Sequence, residues 1–341
     1  MRYSLWLPLI LLPSLSFSQK IKPEYSQRLP NEIHESSGLA LMRPIQVFSY
    51  EGKVIDSLGL CTVNDGGDKE RVFYITKKYG EPYPQFWVMN AANHDWEDLA
   101  LDDSSNLYIG DFGNGLNRRR NLGIYKVYVS PARLNFPFPS PAFVDSASLI
   151  SIHYPDQKQF PPPPSNWNFD CEAFFHHRDS LYIFSKNLSS PNDGYTKMYR
   201  LPDQPGNYTA ELVDSFYLNE PVTSADISPD GKTIVLLTYF SLWVFKDFPD
   251  HNFFDGKIFQ FPFNGLTQKE AICFANDHEL FMTDERHFGK GGKLYKIDLN
   301  QLDFSRSTSK YKKQHFKRAI YNAFNNPKAK YKRIMKREAA Q

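Results

Sequence analysis

The chain has 341 residues, including 28 Phe, 20 Tyr and 24 Pro, with a mean hydropathy of -0.51 and a formal net charge of +2. That hydropathy excludes a protein that crosses a membrane many times, and the aromatic- and Pro-rich composition suits short strands joined by irregular turns better than helices. The charge is unevenly placed: eleven Lys or Arg and no acid lie between Lys310 and Arg337, so the chain before them is acidic and the tail is a separate basic appendage.

The first residues read as an export signal. Arg2 supplies a positive charge, Leu5 to Leu15 is apolar apart from Pro and Ser, and Ser16-Phe17-Ser18 offers small residues before Gln19. The apolar run is shorter than the roughly 20 residues of a spanning helix, so cleavage near Ser18 and a secreted or periplasmic location are expected. Three cysteines, Cys61, Cys171 and Cys273, sit among apolar neighbours and read as small buried strand residues, with at most one pair able to bridge.

A pattern of three strands then recurs along the chain. Its first element is Ser37-Gly38-Leu39, Glu97-Asp98-Leu99, Glu172-Ala173-Phe174, Asp226-Ile227-Ser228 and Glu270-Ala271-Ile272. Its second runs over Leu60 to Asn64, Leu107 to Asp111, Leu181 to Ser185, Ile234 to Thr238 and Leu280 to Asp284, and its third over Val72 to Thr76, Gly123 to Val127, Lys197 to Leu201, Ser241 to Phe245 and Lys293 to Ile297. Fourth strands fit at Phe86 to Met89, Ala147 to Tyr154, Ala210 to Leu218 and Lys257 to Phe261. The last copy lacks one, and Lys20 to Arg28 can supply it.

Five ordered copies predict an all-β fold, a β-propeller over residues 19–300, with five to seven blades compatible with the spacing. The Pro-rich stretch from Pro131 to Asn166 reads as its largest surface insertion. In the tail, 301–341, Phe316, Ile320 and Phe324 recur at helical spacing up to Pro327, which predicts a short basic helix followed by a disordered end.

Carboxylates at one inner-strand position converge on the channel of such a fold. Glu97, Glu172, Asp226 and Glu270 are therefore candidate metal ligands, and a hard oxygen-seeking cation such as Ca²⁺ is the natural counter-ion for them. The competing reading is that each carboxylate bonds backbone N–H groups or a basic side chain of the next blade. The ends of the second strands and the turns near them supply a candidate ligand-binding rim of Asn64, Asp65, Asp95, Asp111, Asn114, Lys186, Asp284 and Arg286. One arginine of Arg118-Arg119-Arg120 is expected to fold back onto Asp111 or Glu97.

Gly66, Gly67, Gly113 and Gly115 read as turn residues. His94, His176 and His177 qualify as bases or ligands by residue type only, and the last two, being adjacent, are expected on opposite sides of a strand. No Gly-x-Ser-x-Gly, His-Glu-x-x-His or Walker-type motif occurs in the chain.

Asn64-Asp65-Gly66-Gly67-Asp68, Asp95-Trp96-Glu97-Asp98-Leu99-Ala100, Ile109-Gly110-Asp111-Phe112-Gly113-Asn114 and Asp170-Cys171-Glu172-Ala173 together resemble a family of secreted bacterial β-propeller proteins that carries no established activity. More distantly, the blade pattern is similar to esterase-like phytase and gluconolactonase/regucalcin-type propellers. The resemblance implies a polar central face, with Ca²⁺ as the expected ion. Two functions follow as expectations: an exported propeller binding a ligand or partner at its channel mouth, or a metal-dependent hydrolase of the phosphoesterase or lactonase type. The basic tail is expected to contact an anionic surface, and an exported protein makes nucleic acid the less favoured partner.

Overall fold

The computed structural model describes residues 19–42, 46–48, 54–76, 85–129, 142–144, 147–287 and 289–305. The export signal, the helix expected in the basic tail and residues 130–141 of the Pro-rich stretch lie outside them. Among the described residues no helix is long and apolar enough to cross a membrane.

Strand pairing groups the chain into five sheets around one axis. After β1 (Glu24–Arg28), blade 1 is built from β2 (Ser36–Leu41), β4 (Val54–Asn64), β5 (Arg71–Thr76) and β6 (Gln85–Val88), with β3 (Gln46–Phe48) pairing on β4. Blade 2 runs β7 (Asp98–Leu101), β8 (Asn106–Asp111), β9 (Gly123–Tyr128) and, after β10 (Ala142–Val144), β11 (Ser148–His153). Blade 3 runs β12 (Asp170–His177), β13 (Ser180–Lys186), β14 (Tyr195–Pro202) and, after β15 (Gly206–Thr209), β16 (Glu211–Tyr217). Blade 4 is β17 (Val222–Ile227), β18 (Thr233–Thr238), β19 (Ser241–Lys246) and β20 (Lys257–Pro262). Blade 5 is β21 (Lys269–Phe274), β22 (Glu279–Asp284), β23 (Lys293–Asp298) and, on its outside, β1, antiparallel to β23 with Glu24 opposite Lys296. The chain thus forms the expected five-bladed propeller, and its N-terminal strand closes the ring.

Alternation along the strands places the core between blades rather than on the axis. In β8, Leu107 and Ile109 pack with Val63 and Tyr74 of blade 1, whereas Tyr108 faces the other way, toward Phe174 and Ile183 of blade 3. Leu39, Phe73 and Ile75 close the ring against Ala271, Cys273 and Leu294. Each such side chain, fully buried, contributes about 1.5–3 kcal/mol. The three cysteines are buried and free. Burial drives the Cys61 and Cys171 thiols far above their ordinary range, as suits inert packing residues.

Three blade boundaries share a latch. The chain that supplies the fourth strand of one blade first runs parallel to the outer strand of the blade before it: β10 beside β6, β15 beside β11, and Ile21 beside Phe263. Between blades 3 and 4 the β19–β20 connection instead inserts Phe253 edge-on against Phe175 and Tyr182, at 5.4 and 5.0 Å between ring centres.

Near the axis the blades are joined by buried polar groups. The Ser37 hydroxyl of blade 1 donates to Glu97 O at the edge of blade 2. The Asp98 carboxylate, fully buried, accepts from Phe174 N of blade 3 at 3.1 Å, from its neighbour Leu99 N at 2.9 Å and from the Ser224 hydroxyl of blade 4 at 3.2 Å. Ser224 Oγ accepts in turn from Ile272 N of blade 5 at 3.2 Å, and Ser36 of blade 1 reaches Thr283 of blade 5 at 3.0 Å. Burial pushes the Asp98 carboxyl well above the usual carboxylate range, against the pull of the backbone bonds it accepts.

Asp98→Ala leaves three buried donors without their acceptor and is expected to cost about 3–5 kcal/mol of unfolding free energy. Asp98→Asn keeps one acceptor oxygen and should cost about 1–2 kcal/mol. Urea unfolding of both variants checks this, and a cost below about 1 kcal/mol for Asp98→Ala would contradict the role of the carboxylate.

Candidate functional site

Most inner strands carry a register shift near their start: between Ser37 and Leu39 in blade 1, Cys171 and Ala173 in blade 3, Val222 and Ser224 in blade 4, and Lys269 and Ala271 in blade 5. In blade 2 the Glu97 N–H bonds Gly110 O at 2.9 Å, and Gly110 is also the partner of Asp98. The extra residue at each site is released from the ladder and its side chain is re-aimed. These residues are Gly38, Glu97, Glu172, Thr223 and Glu270, so three of the four expected carboxylates share one level of the channel.

Asp226 does not share it. Thr223 holds the equivalent place, and Asp226 lies three residues further along β17, where Oδ2 accepts from Phe274 N at 2.7 Å near the other end of the channel. The acid-apolar pattern of Asp226-Ile227 matches Glu172-Ala173 and Glu270-Ala271 in sequence, and only the bulge at Thr223 reveals the different level.

At the upper mouth the carboxylates fall into two overlapping trios. Ligand oxygens of Glu97, Asp170 and Glu172 lie within 4.8 Å of one another, and so do those of Asp65, Asp95 and Glu97. The first trio is buried, while Asp65 and Asp95 of the second are partly open. Lys186 sits against the buried trio: its ammonium pairs with Glu172 and lies 3.0 Å from the Tyr239 hydroxyl. Burial opposes that charge, but Glu172, Glu270, Asp170 and Glu97 together raise the Lys186 pKa far above its ordinary value, so the ammonium persists. Burial, with Glu172, Glu285 and Asp65, holds the Glu270 carboxyl well above the usual range despite the pull of Lys186.

Two turn glycines make room for this packing. A Cβ on Gly113 would fall well under 3.0 Å from the Glu97 and Asp95 carboxylates, and one on Gly66 would do the same against Asp95. Gly113 N also donates to Asp95 O at 3.1 Å.

The rest of the expected rim divides by role. Asn64 accepts from Glu35 N at 3.2 Å and donates to Glu32 O at 2.7 Å. Asp111 accepts from Asp95 N at 2.9 Å and pairs with Arg119 at 3.0 Å and His94 at 2.9 Å, which is the expected fold-back of one arginine. Asn114 N donates to Asp170 Oδ1 at 2.6 Å, and its side chain donates to Phe169 O at 3.2 Å. Asp284 accepts from Lys293 N and the Tyr295 hydroxyl, each at 2.9 Å, and Arg286 donates to Leu29 O at 3.0 Å. These five tie loops and strand ends together. Asp65, Asp95 and Lys186 are the rim candidates that join the carboxylate cluster.

Two groups of the mouth are not among the sequence candidates: Asp170 and Tyr239. Asp170 stands two residues before Glu172, and that spacing was the available signal.

Comparison with known proteins found no matching family model and no matching curated protein. Solved structures similar to this chain include the PQQ-bound aldose sugar dehydrogenase from Streptomyces coelicolor, with TM-score 0.41 and 9% identity over 81% of this chain and 99% of that one. Kuenenia stuttgartiensis hydrazine synthase (TM-score 0.34, 13% identity, 72% of this chain and 56% of that one) and the Dos1 propeller (0.34, 13%, 82% and 74%) are also similar. At such scores these likenesses carry no argument about activity, and the fold rests on the strand pairing above.

Burial pushes the Asp226 carboxyl up to about 7, against the Phe274 and Ile227 N–H bonds that favour the anion. Between its unfolded value near 3.8 and about 7, the unfolded chain releases a proton that the folded chain keeps. Stability therefore falls as pH rises through that window and is flat above it. Because Asp226 is partly open to solvent, the effect is set at about 1–2 kcal/mol. Asp226→Asn is expected to flatten this part of the slope, checked by urea unfolding from pH 4 to 8; an unchanged slope would contradict it.

Proposed function

We propose that the protein is an exported β-propeller that binds a ligand or partner at its upper channel mouth, with a hard divalent cation such as Ca²⁺ held by Asp65, Asp95 and Glu97. The observation that carries this reading is the outer trio, whose oxygens lie within 4.8 Å of one another. Ca²⁺–oxygen bonds of about 2.3–2.6 Å place ligand oxygens at most about 5 Å apart, which that spacing suits. Lys186 already serves the buried trio through Glu172, so the added cation belongs on the more open side, where a ligand oxygen or water completes its shell.

One feature favours the hydrolase as a second reading. Burial, with the neighbouring carboxylates, raises the Glu270 carboxyl, and a proton retained there would be available to a leaving group bound at this mouth. The cation would supply the polarisation or the activated water that such chemistry uses.

Thermal unfolding separates these readings from a purely structural mouth. With Ca²⁺ at about 100 times its Kd the protein is expected to gain roughly 2.7 kcal/mol over the chelator-treated protein, and Glu97→Gln should lose most of that gain. No metal-dependent shift in the unsubstituted protein would remove the cation from both readings. If the shift is present, turnover in a screen of phosphate esters and lactones selects the hydrolase, and its absence leaves binding.

A further inference from the structure

The other end of the channel opens into a depression of about 430 Å³, walled by the ends of the inner strands and the turns beyond them. On its side, between blades 2 and 3, stand Asp102 of the β7–β8 turn, His176 near the end of β12, and Asp203 just after β14. One ligand atom from each lies within 4.8 Å of the other two. His176 Nε2 is 3.1 Å from Asp203 Oδ2, and the Tyr108 hydroxyl lies 3.1 Å from Asp102 Oδ2 and 3.2 Å from Asp203 Oδ2.

We propose that Asp102, His176 and Asp203 form a second metal site, selective for a borderline transition ion such as Zn²⁺. One imidazole nitrogen with two carboxylates suits such an ion, whereas the all-oxygen trios of the upper mouth suit Ca²⁺. Neighbouring ligands on an ion with bonds of about 2.1 Å stand roughly 3.0–3.4 Å apart, and the His176–Asp203 separation falls in that range.

The donors are also oriented from behind. Asn106 Nδ2 donates to Asp102 Oδ2 at 2.7 Å, Gln204 Nε2 donates to Asp203 Oδ1 at 2.7 Å, and the His176 ring stacks on Tyr108 with 5.2 Å between centres. The Tyr108 hydroxyl has a single proton for two carboxylates, which leaves anionic charge for a cation to meet. Lys126 is the resident competitor, 3.7 Å from Asp203 Oδ2 but held at 3.1 Å by Asp203 O. On binding, the metal forms its bond to Nε2 with the imidazole neutral; a proton carried there goes to solvent, the ring keeps its proton on Nδ1, and no redox change occurs. Three protein donors leave a further position for water or a small anionic ligand from the depression. The ion would pin the blade 2 turn and the start of the β15 latch to blade 3.

The test titrates Co²⁺, a coloured stand-in for Zn²⁺, into the full chain with the upper mouth saturated by Ca²⁺. A single equivalent is expected to give visible absorption bands that Zn²⁺ abolishes by displacement. His176→Gln and Asp102→Asn should each weaken binding about tenfold or more, while Glu97→Gln leaves it unchanged. Using both lower-site variants guards against one failing to fold. Absence of Co²⁺ binding in the unsubstituted protein, or binding that survives in the folded lower-site variants, overturns the proposal. Co²⁺ binding that is lost in Glu97→Gln would place the ion at the upper mouth and overturns the proposal as well, whereas loss of the Ca²⁺ shift alone in that variant bears only on the upper mouth.

Discussion

Like charges gathered at one mouth are the constraint on which the rest of this structure depends. Five blades around a narrow axis bring the bulged residues Gly38, Glu97, Glu172, Thr223 and Glu270 to one level, and three of the five are carboxylates. Asp65, Asp95 and Asp170 press in beside them. Such a group is stable only if charge is neutralised, protons are retained or cations are recruited. Lys186, paired with Glu172 among the carboxylates, supplies the first, and burial that raises the Glu270 carboxyl favours the second. The third is the proposed function.

The two ends of the channel are chemically different, and the polar belt between them explains how. Asp98 and Ser224 consume their hydrogen-bonding capacity in joining blades 2, 3, 4 and 5, so the middle of the axis is structural. Above the belt the donors are carboxylate oxygens around Lys186. Below it lie Asp226 and the depression whose wall carries His176. A propeller scaffold fixes both sets on rigid strand ends, and its activity follows from those groups rather than from the fold.

Much of the fold was legible in the sequence because the second and third strands of each blade alternate faces toward neighbouring blades, and that alternation is a local property. Closure by the N-terminal strand followed from a missing fourth strand in the last copy. The site was less legible. Asp226 stands three residues beyond the level expected for it, because the acid-apolar pattern recurs later in β17 and the bulge at Thr223 that fixes the level leaves no mark in the sequence. Asn64, Asp111 and Asp284 occupy the ends of second strands as expected, but they satisfy N–H groups of their own blades, and only Lys186 among the strand-end candidates reaches into the channel. The pairing of His176 with Asp203 spans two strands of blade 3, that of both with Asp102 joins blade 3 to blade 2, and neither has a local signature.

The most direct test of the central claim is a crystal structure of the protein grown with Sr²⁺ in place of Ca²⁺, since the anomalous signal of Sr²⁺ locates the ion without ambiguity. An ion at the upper mouth bonded to Asp65, Asp95 and Glu97, with Lys186 still on Glu172, is the predicted result. A mouth holding only water and protein hydrogen bonds, at Sr²⁺ concentrations that saturate ordinary Ca²⁺ sites, would contradict it.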